Sequence, residues 1–270
     1  MSAAPATDRP AGDGIVEVIN PSGAGDFLLV CEHASNFVPV ELDNLGLSND
    51  ALESHIAWDL GALSVAREMS RMLDAPLVAQ RVSRLVYDCN RPPEAESAIP
   101  ERSEVYRIPG NIGLSAEARR ARVERFYMPF RNALAACIDR RIEARRPPVL
   151  VTVHSFTPVY NGVERDLDLG ILHDVDARFA DALLRAAAAD GDLVVRRNAP
   201  YGPQDGVVHT LREHAIPRGL LNAMIEIRND RIADAASQRA MAKRLSGHVT
   251  EALAALASAT RAADGPASVN

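Results

Sequence analysis

The chain has little lysine, few aromatic side chains and no long apolar run. Of its 30 basic residues only Lys243 is a lysine, and aromatic residues make up 4% of the 270 positions. No apolar stretch approaches the roughly 18–20 residues that a membrane helix needs. The 36 acidic residues give a formal net charge of −6, which excludes the basic footprint of a nucleic-acid-binding protein. We therefore expect small-molecule chemistry, with neither nucleic acid nor membrane as a partner.

Cysteine is also scarce, and three common catalytic motifs are missing. Cys31, Cys89 and Cys137 are odd in number and lie in apolar contexts, which favours reduced thiols in a cytoplasmic protein. The sequence contains neither G-x-x-x-x-G-K-[ST] nor G-x-G-x-x-G, which argues against nucleotide-dependent chemistry. It also lacks G-x-S-x-G, which argues against a serine hydrolase.

The rest of the chain alternates short β-branched apolar runs with longer segments of helical period, the pattern of a sheet covered by helices. We predict one α/β domain over residues 15–258, between flexible tails at 1–14 and 259–270. The predicted strands are Phe27–Cys31, Leu77–Gln80, Leu85–Cys89, Val149–Val153, Leu167–Leu172, Leu193–Arg197 and Leu221–Ile227. The predicted helices run from Ser48 or Asp50 to Leu73, from Ser115 to before Pro147, over Asp176–Ala189 and over Ala233–Leu256. Residues 91–113 are predicted to form a loop at the site.

Two of the predicted buried strands end in histidine. Glu32 and His33 follow Phe27–Cys31, and the apolar run Val149–Val153 leads to His154. Ligands of α/β sheets bind at the carboxyl ends of strands, and neutral imidazole is a common zinc ligand. The two histidines therefore predict a metal site, although each could instead be a hydrogen-bonded structural residue.

A third metal ligand has two candidates. Asn36 lies three residues beyond His33, whereas Asp59 lies four residues after His55 and would share a helix face with it. A carboxylate brings charge to a metal ion and an amide does not, which makes Asp59 the better ligand. An ordinary exposed His55–Asp59 pair is the alternative.

Arginine beside amide or acidic residues marks two further segments. Arg84 and the pair Asn90–Arg91 accompany a predicted strand, and a guanidinium fork matches a carboxylate. This segment predicts a clamp for an acidic substrate, or else an ion pair of Asp88 with an arginine that fixes the loop.

Glu226 and Arg228 lie at the end of the last predicted strand and point to the same side, because strand side chains alternate. A buried glutamate could act as a general base or pair with Arg228. Other residues that could line the pocket are Arg165, Asp168, Tyr201, Gly202, His209 and Thr210.

Several short segments occur in a fixed order between Leu28 and Asp230: CEHASN, DLGA, VYDCNRP, VHSFTPVYNG, GILHD, APYG, VVHTLREHA and MIEIRND. With them the chain resembles the N-formylglutamate amidohydrolase family, which is similar in fold to the zinc carboxypeptidases and aspartoacylases. The resemblance implies a three-layer αβα fold with a mixed, mostly parallel central sheet and a metal site at the strand ends. It also implies a hydrolase of linear amide C–N bonds, acting on N-formyl-L-glutamate or a related N-acyl amino acid.

The resemblance also implies roles for individual residues. His33 and His154 correspond to the first and last ligands of one divalent metal ion, expected to be zinc. Carboxypeptidases have a glutamate where this chain has Asn36, so the second ligand is assigned to Asp59. Glu226 corresponds to the base and proton shuttle.

The remaining assignments concern an anionic substrate. Arg84 is expected to stabilise the oxyanion, and the other substrate-binding residues are expected to be Asn90, Arg91, Arg165, Arg228 and His209. A different N-acyl amino acid could be the substrate on the same fold. A noncatalytic metabolite-binding protein is a further alternative, against which the buried glutamate and two histidines argue. Monomer and homodimer both remain open.

Overall fold

The computed structural model of the chain describes residues 14–263. Residues 1–13 and 264–270 of the predicted tails lie outside the described residues, whereas 259–263 continue the last helix. Within the described part of the chain, no helix is long and apolar enough to cross a membrane.

A central sheet of seven strands organises the molecule, and two small hairpins accompany it. The strands in chain order are β1 (Val16–Ile19), β2 (Phe27–Cys31), β3 (Leu77–Gln80), β4 (Arg102–Ser103), β5 (Tyr106–Arg107), β6 (Val149–Phe156), β7 (Val159–Tyr160), β8 (Val163–Glu164), β9 (Leu169–Leu172), β10 (Val195–Arg197) and β11 (Asn222–Arg228). The central sheet has the order β1-β3-β2-β6-β11-β9-β10, while β4 pairs with β5 and β7 with β8. Only the pairs β1–β3 and β9–β11 of the central sheet are antiparallel. The predicted mixed, mostly parallel sheet is confirmed.

Helices cover both faces of this sheet. They are α1 (Asn49–Glu53), α2 (Ala62–Leu73), α3 (Ala116–Arg122), α4 (Met128–Glu143), α5 (Arg178–Ala189) and α6 (Ala235–Ala263), with a π-helical segment Val123–Tyr127 joining α3 to α4. A second π-helical segment is Leu211–Ala215, and 3₁₀ segments lie at Val40–Gly46, Glu96–Ala98, Pro109–Asn111, Pro203–Asp205, Ile216–Arg218 and Asn229–Ile232.

The sheet separates two hydrophobic cores, as a three-layer αβα fold requires. Because strand side chains alternate between faces, Leu28 and Val30 of β2 pack with Phe130 of α4 on one side. Leu29 and its neighbours pack with α2, α5 and α6 on the other. The central strands are buried on both faces, which explains their almost continuous apolar sequences.

The predicted strand Leu85–Cys89 is wrong, because this segment forms buried turns. Side chains replace the strand partners that its main chain lacks. The Ser83 hydroxyl accepts a hydrogen bond from Leu85 N at 3.2 Å, the Asn111 amide donates to Leu85 O at 2.9 Å, and Arg122 donates to Val86 O. An apolar run can therefore be buried here without joining the sheet.

The single predicted helix ending at Leu73 is also wrong. Turns over residues 54–61 separate α1 from α2, and Gly61 adopts a positive φ of 80° immediately before α2. Asp59 therefore lies in a turn, where its N–H donates to His33 O at 3.0 Å. This hydrogen bond, rather than a shared helix face with His55, places Asp59 beside the end of β2.

Candidate active site

A cavity of about 570 Å³ opens near the carboxyl ends of the central strands β2, β6 and β11, the position at which α/β sheets bind ligands. His33 follows β2, His154 lies in β6 and Glu226 lies in β11. The predicted site residues that line the cavity are His33, Asp59, Arg84, Asn90, Arg91, His154, Arg165 and Glu226.

Three acceptor atoms from different parts of the chain meet at the base of this cavity. Nδ1 of His33 lies 3.2 Å from Oδ2 of Asp59, and Nδ1 of His154 lies 2.9 Å from the same oxygen. The two Nδ1 atoms are 3.3 Å apart. All three residues are buried, so water does not separate them.

A second tier of carboxylates faces the outer nitrogens of the two rings. Nε2 of His33 lies 2.7 Å from Oδ1 of Asp88, and Nε2 of His154 lies 3.1 Å from Oε2 of Glu32. In a neutral imidazole only one nitrogen carries a proton. A proton held on Nε2 by a carboxylate leaves the lone pair of Nδ1 pointing into the cavity.

The donor set fits a divalent metal ion. Tetrahedral zinc bonded at about 2.0–2.1 Å separates its ligand atoms by roughly 3.3–3.4 Å, close to the spacings of these three atoms. Two imidazoles and one carboxylate are also a usual ligand set for catalytic zinc. His33, Asp59 and His154 could therefore hold a metal ion.

The carboxylates around the two histidines favour protonated imidazoles. Burial alone would lower the pKa of His154, but the charges of Glu32 and Asp59 outweigh burial and raise this pKa well above its ordinary value. The pKa of Asp59 moves down, because the two histidines outweigh the opposing effect of burial. Metal binding at neutral pH is therefore expected to displace protons.

The structure separates the two candidates for the second ligand. The Asn36 amide donates to Leu52 O at 3.0 Å, and Asn36 is not a member of the His33–Asp59–His154 group. His55 lines the cavity but pairs with Glu104 at 3.0 Å. The alternative of a His55–Asp59 pair does not occur.

Glu226 is buried beside the histidine strand. It lies opposite His154 in the β6–β11 register, is 5% exposed, and its Oε2 atom has no hydrogen-bond partner. Burial, opposed by the His154 charge and reinforced by that of Asp59, raises the pKa of Glu226 to about 7. A carboxyl group with this pKa can exchange a proton near neutral pH.

Arg84 ties the two tiers of carboxylates together. Its Nη1 donates to Oδ1 of Asp59 at 3.3 Å, and its Nη2 donates to Oδ2 of Asp88 at 2.9 Å. Although burial opposes the charged form, the two carboxylates raise the pKa of Arg84. The guanidinium is therefore a fixed positive charge at the cavity wall.

Asn90 and Arg91 both bind main-chain atoms of the protein. The Asn90 amide donates to Val207 O, and its oxygen accepts from Thr210 N at 3.0 Å. The amide thus binds the main chain of a distant loop, while Asn90 also lines the cavity, so its contact with substrate stays a prediction. Arg91 donates through Nη1 to Asn90 O and Gly206 O, and it lines the cavity.

Arg165 lies in a cage of aromatic rings. Its guanidinium carbon is 5.5, 4.6 and 4.8 Å from the ring centres of Phe156, Tyr160 and Tyr201, and its Nη2 donates to the Tyr201 hydroxyl at 3.0 Å. Such stacking is favourable and limits the side chain to few conformations.

Five predicted pocket residues lie outside the cavity lining, whereas Tyr201 belongs to it; the five are Asp168, Gly202, His209, Thr210 and Arg228. Arg228 pairs with Asp168 at 3.1 Å and Asp230 at 2.9 Å. Nε2 of His209 lies 2.8 Å from the Tyr127 hydroxyl. Neighbouring protein groups thus hold both side chains, and their substrate binding stays a prediction.

Sequence reasoning gave no role at the metal site to Glu32, and it placed Asp88 only in a loop ion pair. Both are buried carboxylates, and each lies against a ring nitrogen of a site histidine. The sequence held two signals. Glu32 directly follows a fully apolar strand, and Asp88 directly precedes Cys89-Asn90-Arg91.

The chain matches a family model and is similar to several solved structures. The N-formylglutamate amidohydrolase family model matches residues 25–233. A gene product of Agrobacterium tumefaciens with a crystal structure shares 54% identity and a TM-score of 0.89, with 92% of this chain and 98% of that chain covered. The crystal structure of N-formylglutamate amidohydrolase from Ralstonia eutropha JMP134 shares 16% identity and a TM-score of 0.63 over the same fractions, a likeness of fold. No curated protein matches the chain.

We predict that exchanging Asp59 abolishes tight metal binding and that exchanging Asn36 does not. Asp59→Asn replaces a charged ligand by a neutral amide, and zinc affinity should fall by more than about 100-fold, since outer-shell partners alone are worth roughly 10- to 100-fold. Asn36→Ala, which removes only the hydrogen bond to Leu52, should leave affinity unchanged. Competition with a chelator, combined with elemental analysis, measures both. Equal losses in the two variants would contradict the site.

Proposed function

Because the chain belongs to the N-formylglutamate amidohydrolase family, and is therefore a hydrolase of amide C–N bonds, we propose that it hydrolyses N-formyl-L-glutamate to formate and glutamate through a metal-assisted mechanism. The observation that carries this proposal is the buried Glu226 carboxyl beside the His33–Asp59–His154 group, in a cavity that arginines also line. A protein that only bound an anion would have no need of this extra buried carboxyl group.

His33, Asp59 and His154 are the residues that would hold the metal. When bound, a divalent cation supplies a Lewis acid and lowers the pKa of water toward neutrality. The three side chains are already placed by β2, by β6 and by the main-chain hydrogen bond of Asp59 to His33. Little rearrangement is therefore needed on binding.

Glu226 is proposed to move the proton. Its free Oε2 atom accepts a proton from the water whose oxygen attacks the formyl carbon. The same carboxyl group then donates that proton to the amide nitrogen as the C–N bond breaks, which releases formate and the amine of glutamate. A pKa of about 7 suits a group that must act as base and then as acid.

Arg84 is proposed to stabilise the negative oxygen that develops during the attack. Two of its N–H groups are bound to Asp59 and Asp88, and a guanidinium has five N–H donors. The remaining donors can face the cavity from a side chain that is already fixed, so little reorganisation accompanies the charge development.

Arg91 and Arg165 are proposed to bind the two carboxylates of the substrate. Both line the cavity, and both are positioned by contacts with carbonyl oxygens or aromatic rings. A planar guanidinium can bind a carboxylate through two parallel hydrogen bonds. Asn90 takes part indirectly in this proposal, because it fixes the loop whose Gly206 carbonyl holds Arg91.

Removal of the Glu226 acid should lower turnover strongly. In Glu226→Gln the side chain keeps its size but cannot accept the water proton, and kcat for formate release should fall by about 10²–10⁴-fold. The wild-type kcat/KM should decrease as the pH falls through about 7, since Glu226 becomes protonated there, and the residual activity of the variant should lack this dependence.

The control is Glu117→Gln, a change at an exposed position of α3, which should retain wild-type rates. Formate is measured with zinc-loaded protein and again after chelation. An unchanged rate in Glu226→Gln would rule out the base assignment, whereas absence of formate release from zinc-loaded wild type would rule out the substrate.

Changes at Arg91 and Arg165 should separate the contributions of the two substrate carboxylates to binding. Arg91→Lys should raise KM about 10- to 100-fold with little effect on kcat, because one charge-assisted hydrogen bond is worth roughly 1.5–3 kcal/mol. Arg165→Lys should reduce the preference for N-formylglutamate over N-formylglutamine, which lacks the side-chain carboxylate.

Arg102→Lys is the matched control, because Arg102 is an exposed cavity-rim residue that donates to Glu104 O. Steady-state kinetics with formyl, acetyl and succinyl substrates measures the preferences for the amino acid and for the acyl group. Wild-type KM in Arg91→Lys would contradict the carboxylate assignment, and a strong preference for a larger acyl group would replace the formyl assignment.

A further inference from the structure

Glu32 is a buried charge that the proposed reaction does not use. Its side chain is completely buried, and its pKa is lowered, because the histidine charges and neighbouring polar groups outweigh burial. Neither carboxylate oxygen of Glu32 has a hydrogen-bond partner, and Nε2 of His154 has none either, although Oε2 and Nε2 lie 3.1 Å apart as an ion pair. A buried carboxylate with so little compensation requires an explanation.

The position of Glu32 defines what it can do for His154. The imidazole lies between two carboxylates, with Glu32 at Nε2 and Asp59 at Nδ1. A carboxylate can only accept hydrogen bonds, so Glu32 favours a proton on Nε2 when a cation rather than a proton lies between Nδ1 and Asp59. That tautomer leaves the Nδ1 lone pair free at the point where the His33 and Asp59 acceptors meet.

We propose that Glu32 is a positioning residue that fixes the Nε2–H tautomer of His154, thereby presenting Nδ1 to the metal. This inference rests on the metal site of the proposed function. It gives a role to the buried glutamate that directly precedes the first histidine ligand.

The test compares Glu32→Gln with Thr152→Val. A glutamine amide can accept from Nε2–H or donate to Nε2, so it no longer selects one tautomer, and zinc affinity should fall about 10- to 100-fold. Thr152 lies two residues before His154 in β6, and its buried hydroxyl has no partner. Thr152→Val therefore changes the same strand without removing a hydrogen bond, and zinc affinity should stay within about twofold of wild type.

A spectroscopic readout separates positioning from a general loss of stability. In zinc-loaded wild type the Nε2–H proton of His154 should give a slowly exchanging, downfield NMR resonance, because a buried carboxylate accepts its hydrogen bond. Glu32→Gln should move this resonance upfield, and Thr152→Val should not. If Glu32→Gln does not fold, Glu32→Asp decides, because it keeps the charge but draws the carboxylate away from Nε2, and lower zinc affinity is expected.

Unchanged zinc affinity and an unmoved resonance in Glu32→Gln would overturn the inference while leaving the metal site intact. Wild-type zinc affinity in Glu32→Asp would overturn it in the same way. Failure of the wild type to bind zinc would overturn the metal site, and with it the role of Glu32. The failure of the inference and the failure of the proposed function are thus distinguishable.

Discussion

Three hydrogen-bond acceptors meet in a buried space at the centre of this protein, and such atoms repel one another unless protons or a cation lie between them. Nδ1 of His33, Nδ1 of His154 and Oδ2 of Asp59 are 2.9–3.3 Å apart. Their burial prevents water from reducing the repulsion. The surrounding charges can be understood as the arrangement that keeps these three atoms together and leaves their lone pairs available.

The fold supplies this arrangement by placing β2, β6 and β11 side by side. One strand leads to His33, the next carries His154, and the third carries Glu226. Outer carboxylates face both rings, while Arg84 links Asp59 to Asp88 and offsets part of the negative charge. In the same neighbourhood the pKa of Glu226 lies near neutrality, because burial disfavours its charged form.

The strand ends could be predicted from the sequence because apolar runs and their terminal histidines are local signals. Asp59 was preferred because it is charged, and it does meet the two histidines, but it lies in a turn bound to His33 O and not on a helix face shared with His55. The partners of Asn90 and Arg228 could not be predicted. These partners are Val207, Thr210 and Asp168. They are distant in sequence, and only the tertiary fold brings them near Asn90 and Arg228. Leu85–Cys89 has the composition of a strand, but side chains from Ser83, Asn111 and Arg122 satisfy its main chain.

The central claim is that two Nδ1 atoms and one carboxylate oxygen form a metal site. Anomalous diffraction from crystals of the zinc-loaded protein tests it most directly. The account predicts one strong zinc peak within about 2.0–2.2 Å of His33 Nδ1, His154 Nδ1 and an Asp59 carboxylate oxygen, with Nε2 of each ring still facing Asp88 or Glu32. A zinc peak bonded through Nε2, or one bonded to Asn36 in place of Asp59, would contradict it.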